Sequence, residues 1–112
     1  MKTKDILNKA KELISNPNHW AKGSYAFNKQ GKEVSYESND ACQFCALGAI
    51  NKVSSSNPLS LARYRAAVSL RKCLPKDFNY VDVFNDSPTT SHEDVLKLFD
   101  MAINRLENIN GN

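Results

Sequence analysis

Segment 41–50 constrains the fold most, because it places two thiols and a glycine inside an apolar run, Ala-Cys-Gln-Phe-Cys-Ala-Leu-Gly-Ala-Ile. With Asn39 or Asp40 accepting the first amide protons, the run predicts a helix from about residue 41 to residue 53. Small side chains would form its inward face and let another backbone approach closely. These are Ala41, Phe44, Cys45, Gly48 and Ala49, of which only Phe44 is large.

Helices are also predicted on both sides of that segment. Apolar residues recur at helical spacing over 6–14, Thr3 or Asp5 can cap the start, and the Asn-Pro-Asn sequence at 16–18 stops the helix. After the serine-rich loop, Asn57 as cap and Pro58 in the first turn start another helix. Its apolar stripe would be Leu59, Ala62, Ala66 and Leu70.

A last helix is indicated near the end of the chain. Thr90 followed by Glu93 matches a capping box, and apolar residues continue at helical spacing up to Leu106. The tail at 108–112 is expected to fray, since it is Asn-Ile-Asn-Gly-Asn.

Two extended segments are predicted between the helices. Period-two alternation indicates a short β-hairpin, carried by Tyr25, Phe27, Val34 and Tyr36. Gly31 would supply the positive φ of its turn. Five of residues 78–84 are aromatic or β-branched, which favours an extended segment, a strand that could join the hairpin. The expected fold is therefore α+β, with about four helices and a short β-hairpin packed on one side.

Length and charge limit the class of protein. With 112 residues the chain can hold one core, so we expect a single domain over 1–112. The net charge of +3 gives no basic stripe. The densest basic run, residues 63–76, is interpreted as a solvated helix face, so nucleic-acid binding is disfavoured.

Three cysteines and the start of the chain bear on location. The count is odd and no apolar signal region opens the chain, which favours free thiols in a reducing, cytoplasmic compartment. No run is long enough to cross a bilayer, so no membrane span is expected.

One set of residues has the types needed for nucleophilic catalysis. Cys45 could be ionised by His92, with Asn85 or Asp86 holding the imidazole. The favoured alternative makes Cys45 a small apolar core residue and His92 a first-turn helix residue. Cysteines at 42 and 45 also have the spacing of a metal knuckle or redox pair, but a paired second set of ligands is absent, so we expect no metal and no cofactor.

The polar loop 85–90 is the second candidate site. It enters the last helix, and exposed amides there can bind an anion or a partner, so the predicted binding residues are Trp20, Asn85, Asp86 and Thr90. The favoured alternative is turn chemistry for Asn85 and Asp86, with Trp20 as a core or lid residue under the hairpin.

The order of these pieces resembles an uncharacterised family of small proteins encoded by bacteriophages and actinobacteria, a domain of unknown function. The resemblance is carried by the opening helix, Trp20, Gly31, the Cys-Ala-Leu-Gly-Ala sequence at 45–49, and the Asn-Asp pair at 85–86 ahead of the last helix. It implies a phage or bacterial origin and an intracellular site of action, and it brings no catalytic residues.

Three functional hypotheses follow. The first is a small non-enzymatic binding protein that acts on a host or phage protein. The second is a cysteine-dependent hydrolase or transferase using Cys45, His92 and Asp86 or Asn85. The third is a homodimer with a structural role.

Overall fold

Five α-helices and one two-stranded antiparallel sheet occur in residues 1–109, the part of the chain that this computed structural model describes. Their bounds are α1 Thr3–Leu13, β1 Ala26–Phe27, β2 Gln43–Phe44, α2 Ala46–Val53, α3 Leu61–Lys72, α4 Val81–Asp86 and α5 His92–Ile109. A short 3₁₀ turn, Pro17–His19, follows α1. The predicted α+β class is confirmed.

Helix α1 is the centre of the core. Its buried stripe of Ile6, Leu7 and Ala10 continues to Ile14 just beyond the helix, and the helix packs against α2, α3 and α5. As predicted, the helix ends ahead of the Asn-Pro-Asn turn, where the Asn16 side chain accepts a hydrogen bond from the Asn18 amide. The described residues contain no helix with both the length and the apolarity of a bilayer span.

The last helix is confirmed, but its cap differs from the prediction by one residue. The Ser91 Oγ accepts from the Asp94 amide at 3.1 Å, and the Asp94 carboxylate accepts from the Ser91 amide at 2.9 Å. The box is thus Ser91 with Asp94, because Thr90 is buried and precedes the cap. Of the predicted frayed tail, residues 108 and 109 belong to α5, and 110–112 lie outside the described residues.

The predicted hairpin turn is present, but β1 pairs mainly with a segment outside that hairpin. Gly31 has φ of +78°, and Phe27 forms an isolated bridge with Glu33. The sheet itself pairs β1 with β2, placing Ala26 opposite Phe44. Strand β1 therefore pairs both with the residues after its own turn and with a distant segment. The alternation of apolar and polar residues along the chain does not reveal the distant partner.

Helix α2 begins five residues later than predicted. Residues 41–45 are extended, because their backbone groups pair with other segments: the Cys42 amide donates to the Phe27 carbonyl at 2.9 Å, and the Phe44 carbonyl accepts from the Ala21 amide. Cys45 is the N-cap of the helix. The two cysteines therefore do not lie one turn apart on a helix.

Close approach at Gly48 confirms the predicted role of small residues in this segment. A Cβ added at position 48 would overlap the Tyr25 carbonyl oxygen and lie 2.8 Å from its carbonyl carbon. Only a glycine lets α2 pack this tightly on the chain ahead of β1.

Helix α3 also begins later than predicted. Ser60 is its N-cap and accepts from the Arg63 amide at 3.1 Å, while Pro58 stays in the preceding turn. Leu59, predicted to face the core, is 96% exposed. The prediction was wrong here because a serine two positions after the proline offers the better placed side-chain acceptor.

The prediction of a strand at 78–84 was wrong, because residues 81–86 form the helix α4. Helical spacing puts Val81, Phe84 and Asn85 together on the buried side, and Phe84 meets Phe78 edge to face at 5.2 Å. Burial of this face outweighs the strand preference of its β-branched and aromatic residues.

Candidate functional site

Asn85 connects three segments of the chain: its own helix α4, residues 20–21 and the start of α2. It is fully buried in α4. Its Oδ1 accepts from Trp20 Nε1 at 2.8 Å and from the Ala46 amide at 3.1 Å. Its Nδ2 donates to the Ala21 carbonyl at 3.0 Å and to Asp86 Oδ1 at 2.9 Å. All four hydrogen-bonding positions of the amide are filled, so none is left for a ligand.

Asp86 and Lys22 extend this network at the end of α4. Asp86 Oδ1 also accepts from the Gly23 amide at 2.9 Å. Lys22 Nζ donates to the Ser87 carbonyl at 2.7 Å and lies 5.6 Å from the centroid of the Trp20 ring. Segment 20–23 is thereby held against the end of α4 by side-chain and backbone contacts.

Cys45 is a buried capping residue. Its Sγ accepts from the Gly48 amide at 3.3 Å, and the residue is 4% exposed. Burial raises the pKa of the Cys45 thiol, and the carboxylates of Asp86 and Asp82 raise it further, against the lowering effect of the first backbone amides of α2. The environment thus favours the neutral thiol, which is the weaker nucleophile.

His92 is engaged with the end of α1. Its Nε2 lies 2.6 Å from the Ile14 carbonyl oxygen, and its ring packs at 5.6 Å against the Trp20 ring. Within residues 1–109 no hydrogen bond joins His92 to Cys45. Of the residues in the catalytic hypothesis, the structure brings Asn85 and Asp86 into contact with each other and places Asp86 beside Cys45.

A cavity of about 280 Å³ opens beside Cys45. Three of its lining residues are acidic, namely Glu33, Asp82 and Asp86, and the backbone around Gly23 and Tyr25 completes it. Within residues 1–109, no three or more His, Cys, Asp or Glu side chains are placed to hold a metal ion together. The three cysteines of the chain are free thiols.

Thr90 is separated from the other predicted binding residues. Trp20, Asn85 and Asp86 form one network, whereas Thr90 is buried and lines a different cavity, of about 420 Å³, between the end of α3 and α5. Cys73 also lines that cavity, and burial raises the pKa of its thiol.

An exposed apolar surface on α3 was not predicted from the sequence. Leu61, Tyr64 and Val68 follow one another at helical spacing on the outer side of α3, and Leu61 and Tyr64 are 58% and 65% exposed. Leu59 precedes them and Tyr80 lies across a groove from them. We call these five residues the α3 face. In the sequence, this face corresponds to a second apolar stripe on α3, separate from the predicted stripe that contains Ala62, Ala66 and Leu70.

Two grooves run along the α3 face. One, of about 320 Å³, is lined by Leu59, Arg63 and Tyr64; the other, of about 210 Å³, is lined by Tyr64, Arg71 and Tyr80. They share Tyr64 and Ala67. The two grooves are therefore one continuous surface divided by the Tyr64 side chain.

The basic residues of this surface differ in whether the chain itself provides them with hydrogen-bond or ion-pair partners. Arg63 is held by the chain itself: it donates to Asn51 Oδ1 at 2.9 Å, the Pro58 carbonyl at 3.1 Å and the Tyr36 hydroxyl at 3.2 Å. Arg65, Arg71 and Lys72 are exposed, and none of them forms an ion pair within residues 1–109. The twelve residues of α3 include no acid.

These elements define a small α+β domain in which α2, α3 and α5 pack around α1, with a small two-stranded sheet beside α2. The chain belongs to DUF6197, a family of unknown function, whose model matches residues 1–105. The predicted membership in an uncharacterised family is thus confirmed. No curated protein and no solved structure matches the chain.

Proposed function

We propose that this protein is a small non-enzymatic binding protein whose α3 face contacts another protein. The target would be a host or phage protein in the cytoplasm of a bacterial or infected cell, a setting that rests on the resemblance described above. The observation that carries the proposal is the exposed apolar stripe of Leu61, Tyr64 and Val68, with one groove on either side of the Tyr64 side chain.

The composition of the α3 face fits a protein interface. Contiguous exposed apolar surface marks interaction sites, and tyrosine and arginine are enriched among the residues that contribute most to binding. Tyr64 and Tyr80 are 65% and 62% exposed, and Arg71 lines the groove between them. The aromatic rings can bury much area against a partner at low entropic cost.

The residues of the catalytic hypothesis give the proposal further support. The Asn85 amide has no free hydrogen-bonding position, His92 Nε2 is used by the Ile14 carbonyl, and within residues 1–109 no hydrogen bond joins either nitrogen of the His92 ring to Cys45. These side chains join segments of the fold. A general base needs a free lone pair directed at the nucleophile.

Site-specific photo-crosslinking tests the proposal. A photoreactive amino acid is placed at position 64 or, as a matched control, at position 25, where Tyr25 is also about half exposed. Lysates of bacteria and of phage-infected bacteria are then irradiated with each variant. We expect a specific protein to be captured from position 64 and not from position 25, and the capture to be lost with Tyr80→Ala. Equal capture from both positions would refute the α3 face as the binding surface.

A cysteine-dependent hydrolase or transferase is the second candidate. It is favoured by one observation: Cys45 lies at the N-terminus of α2 and lines a cavity beside Asp86. His92 would be its base and Asp86 or Asn85 the group that orients the imidazole. This function needs rapid alkylation of Cys45 below neutral pH that disappears in His92→Ala, measured by mass spectrometry with a denatured control.

A further inference from the structure

We propose that the ligand of the α3 face is an acidic amphipathic helix of a partner protein. The inference rests on the proposed function and names the chemistry of the partner. It is carried by the shape of the two grooves and by the unpaired positive charges beside them.

The backbone of α3 determines how a partner can dock. The N–H and C=O groups in the middle of α3 bond within the helix, so they cannot pair with an extended peptide. A helix satisfies its own backbone and contributes side chains only, so it fits such a surface. Apolar residues one turn apart on such a helix would enter the two grooves on either side of Tyr64.

The positive charges beside the apolar stripe favour a partner with a negatively charged docking surface. Arg65 follows Leu61 by one turn and Lys72 follows Val68 by one turn, so two cations border the apolar stripe along α3. Arg71 adds a third charge in the groove that leads to Tyr80. Because none of the three has an acidic partner within residues 1–109, acidic side chains on the ligand would gain favourable pairs without breaking existing ones.

One carboxylate lies in the same region. Asp82 lines the groove between Tyr64 and Tyr80. A negatively charged ligand would therefore place its carboxylates toward Arg65 and Lys72. The part of the ligand that enters the groove beside Asp82 would carry no carboxylate. This local repulsion also opposes a phosphate backbone, which carries a charge at every step.

A second copy of the chain fits this surface less well. A twofold contact through the α3 face would bring Arg65, Arg71 and Lys72 close to the same three residues of the other copy. Like charges facing each other at an interface are unfavourable.

The apolar side chains between the cations, Leu61 and Val68, have no counterpart in a nucleic-acid backbone, and they favour a protein ligand.

Fluorescence anisotropy with synthetic peptides tests the inference on the full chain. The probe is a labelled helical peptide with leucines on one face and glutamates on the other, and its control carries lysines in place of the glutamates. We expect the glutamate peptide to bind at least about tenfold more tightly, and its affinity to fall as salt rises. The double variant Arg65→Glu/Lys72→Glu should lose this preference, whereas Lys29→Glu/Lys32→Glu, with the same charge change on the exposed turn, should keep it.

Other outcomes overturn the inference in distinguishable ways. Equal affinity for both peptides, lost in Tyr64→Ala, would refute the acidic ligand and leave the proposed function standing. Binding of a labelled oligothymidine but not of the glutamate peptide would assign the face to nucleic acid. Sedimentation showing a dimer that dissociates in Tyr64→Ala would assign it to self-association. Failure of the proposed function is recorded separately, by equal crosslinking from positions 64 and 25.

Discussion

Trp20 Nε1 donates a hydrogen bond of 2.8 Å to Asn85 Oδ1, which joins two residues 65 positions apart. The same oxygen accepts from the first residue of α2, so one buried amide aligns the tryptophan, α2 and α4. These residues belong to the sequence patterns that carried the family resemblance. Their arrangement gives those patterns a structural role, because each polar group satisfies another within the core.

Asn85→Asp tests the importance of this amide. The substitution keeps the shape but removes both N–H donors, so the Ala21 carbonyl and the Asp86 carboxylate face an acceptor in a buried site. We expect the free energy of unfolding to fall by about 3 kcal/mol in urea titrations at pH 7. The matched control is Asn79→Asp at an exposed position, where a change within about 0.5 kcal/mol is expected. A loss no larger than that of the control would contradict the assignment.

Gly48→Ala should reverse the usual effect of such a change. In an ordinary helix interior, replacing glycine by alanine stabilises by about 0.5–1 kcal/mol. Here the added Cβ would overlap the Tyr25 carbonyl, a backbone group that cannot move aside cheaply, so a loss of about 1–3 kcal/mol is expected. Lys52→Ala in the same helix serves as the control. Stabilisation by Gly48→Ala would disprove the close contact.

The buried thiol of Cys45 predicts a pH dependence. Its folded pKa lies above that of an unfolded cysteine, about 8.5, so the unfolded chain loses its proton first as pH rises. The associated stability is fully present below the unfolded pKa and is lost as pH rises through the folded pKa. Chemical denaturation above pH 8 should therefore show a steeper decline for the natural chain than for Cys45→Ala. Equal slopes for the natural chain and for Cys45→Ala would refute the prediction.

The bond from His92 to the Ile14 carbonyl assigns a tautomer. A carbonyl oxygen only accepts, so Nε2 must carry the proton. Nitrogen NMR of the histidine ring should show a protonated Nε2. His92→Ala should lower the free energy of unfolding by about 1–2 kcal/mol through loss of this bond and of the contact with Trp20. His19→Ala, at an exposed histidine, should have a much smaller effect, and similar effects of both changes would contradict the contact.

Asp94, rather than Glu93, should be the acid that caps α5. Hydrogen bonds from Ser91 lower the pKa of the Asp94 carboxyl below its usual value. Its stabilising effect is therefore present above the unfolded pKa, about 3.9, and is lost as pH falls through the folded pKa. At pH 7, Asp94→Asn should lower the melting temperature more than Glu93→Gln, and the difference should shrink in acid. A larger effect of Glu93→Gln would restore the capping box originally predicted.

Local sequence patterns predicted the elements whose formation depends on neighbours along the chain. The stripes of α1 and α5, the stop after Ile14 and the positive φ of Gly31 all follow from helical spacing, proline and glycine within a few residues. For the candidate site, the same patterns identified Trp20, Asn85 and Asp86 as special.

Tertiary contacts determined the rest. Residues 43–44 pair with a strand about 17 positions earlier, so a segment with a helical pattern becomes extended, and Val81 to Asp86 become helical because that places Phe84 and Asn85 inside. The same contacts leave Leu61 and Tyr64 outside, while Ala66 and Leu70 on the other stripe of α3 are buried. A sequence pattern shows which side chains are apolar, but which of two apolar stripes meets the core depends on where the other helices lie.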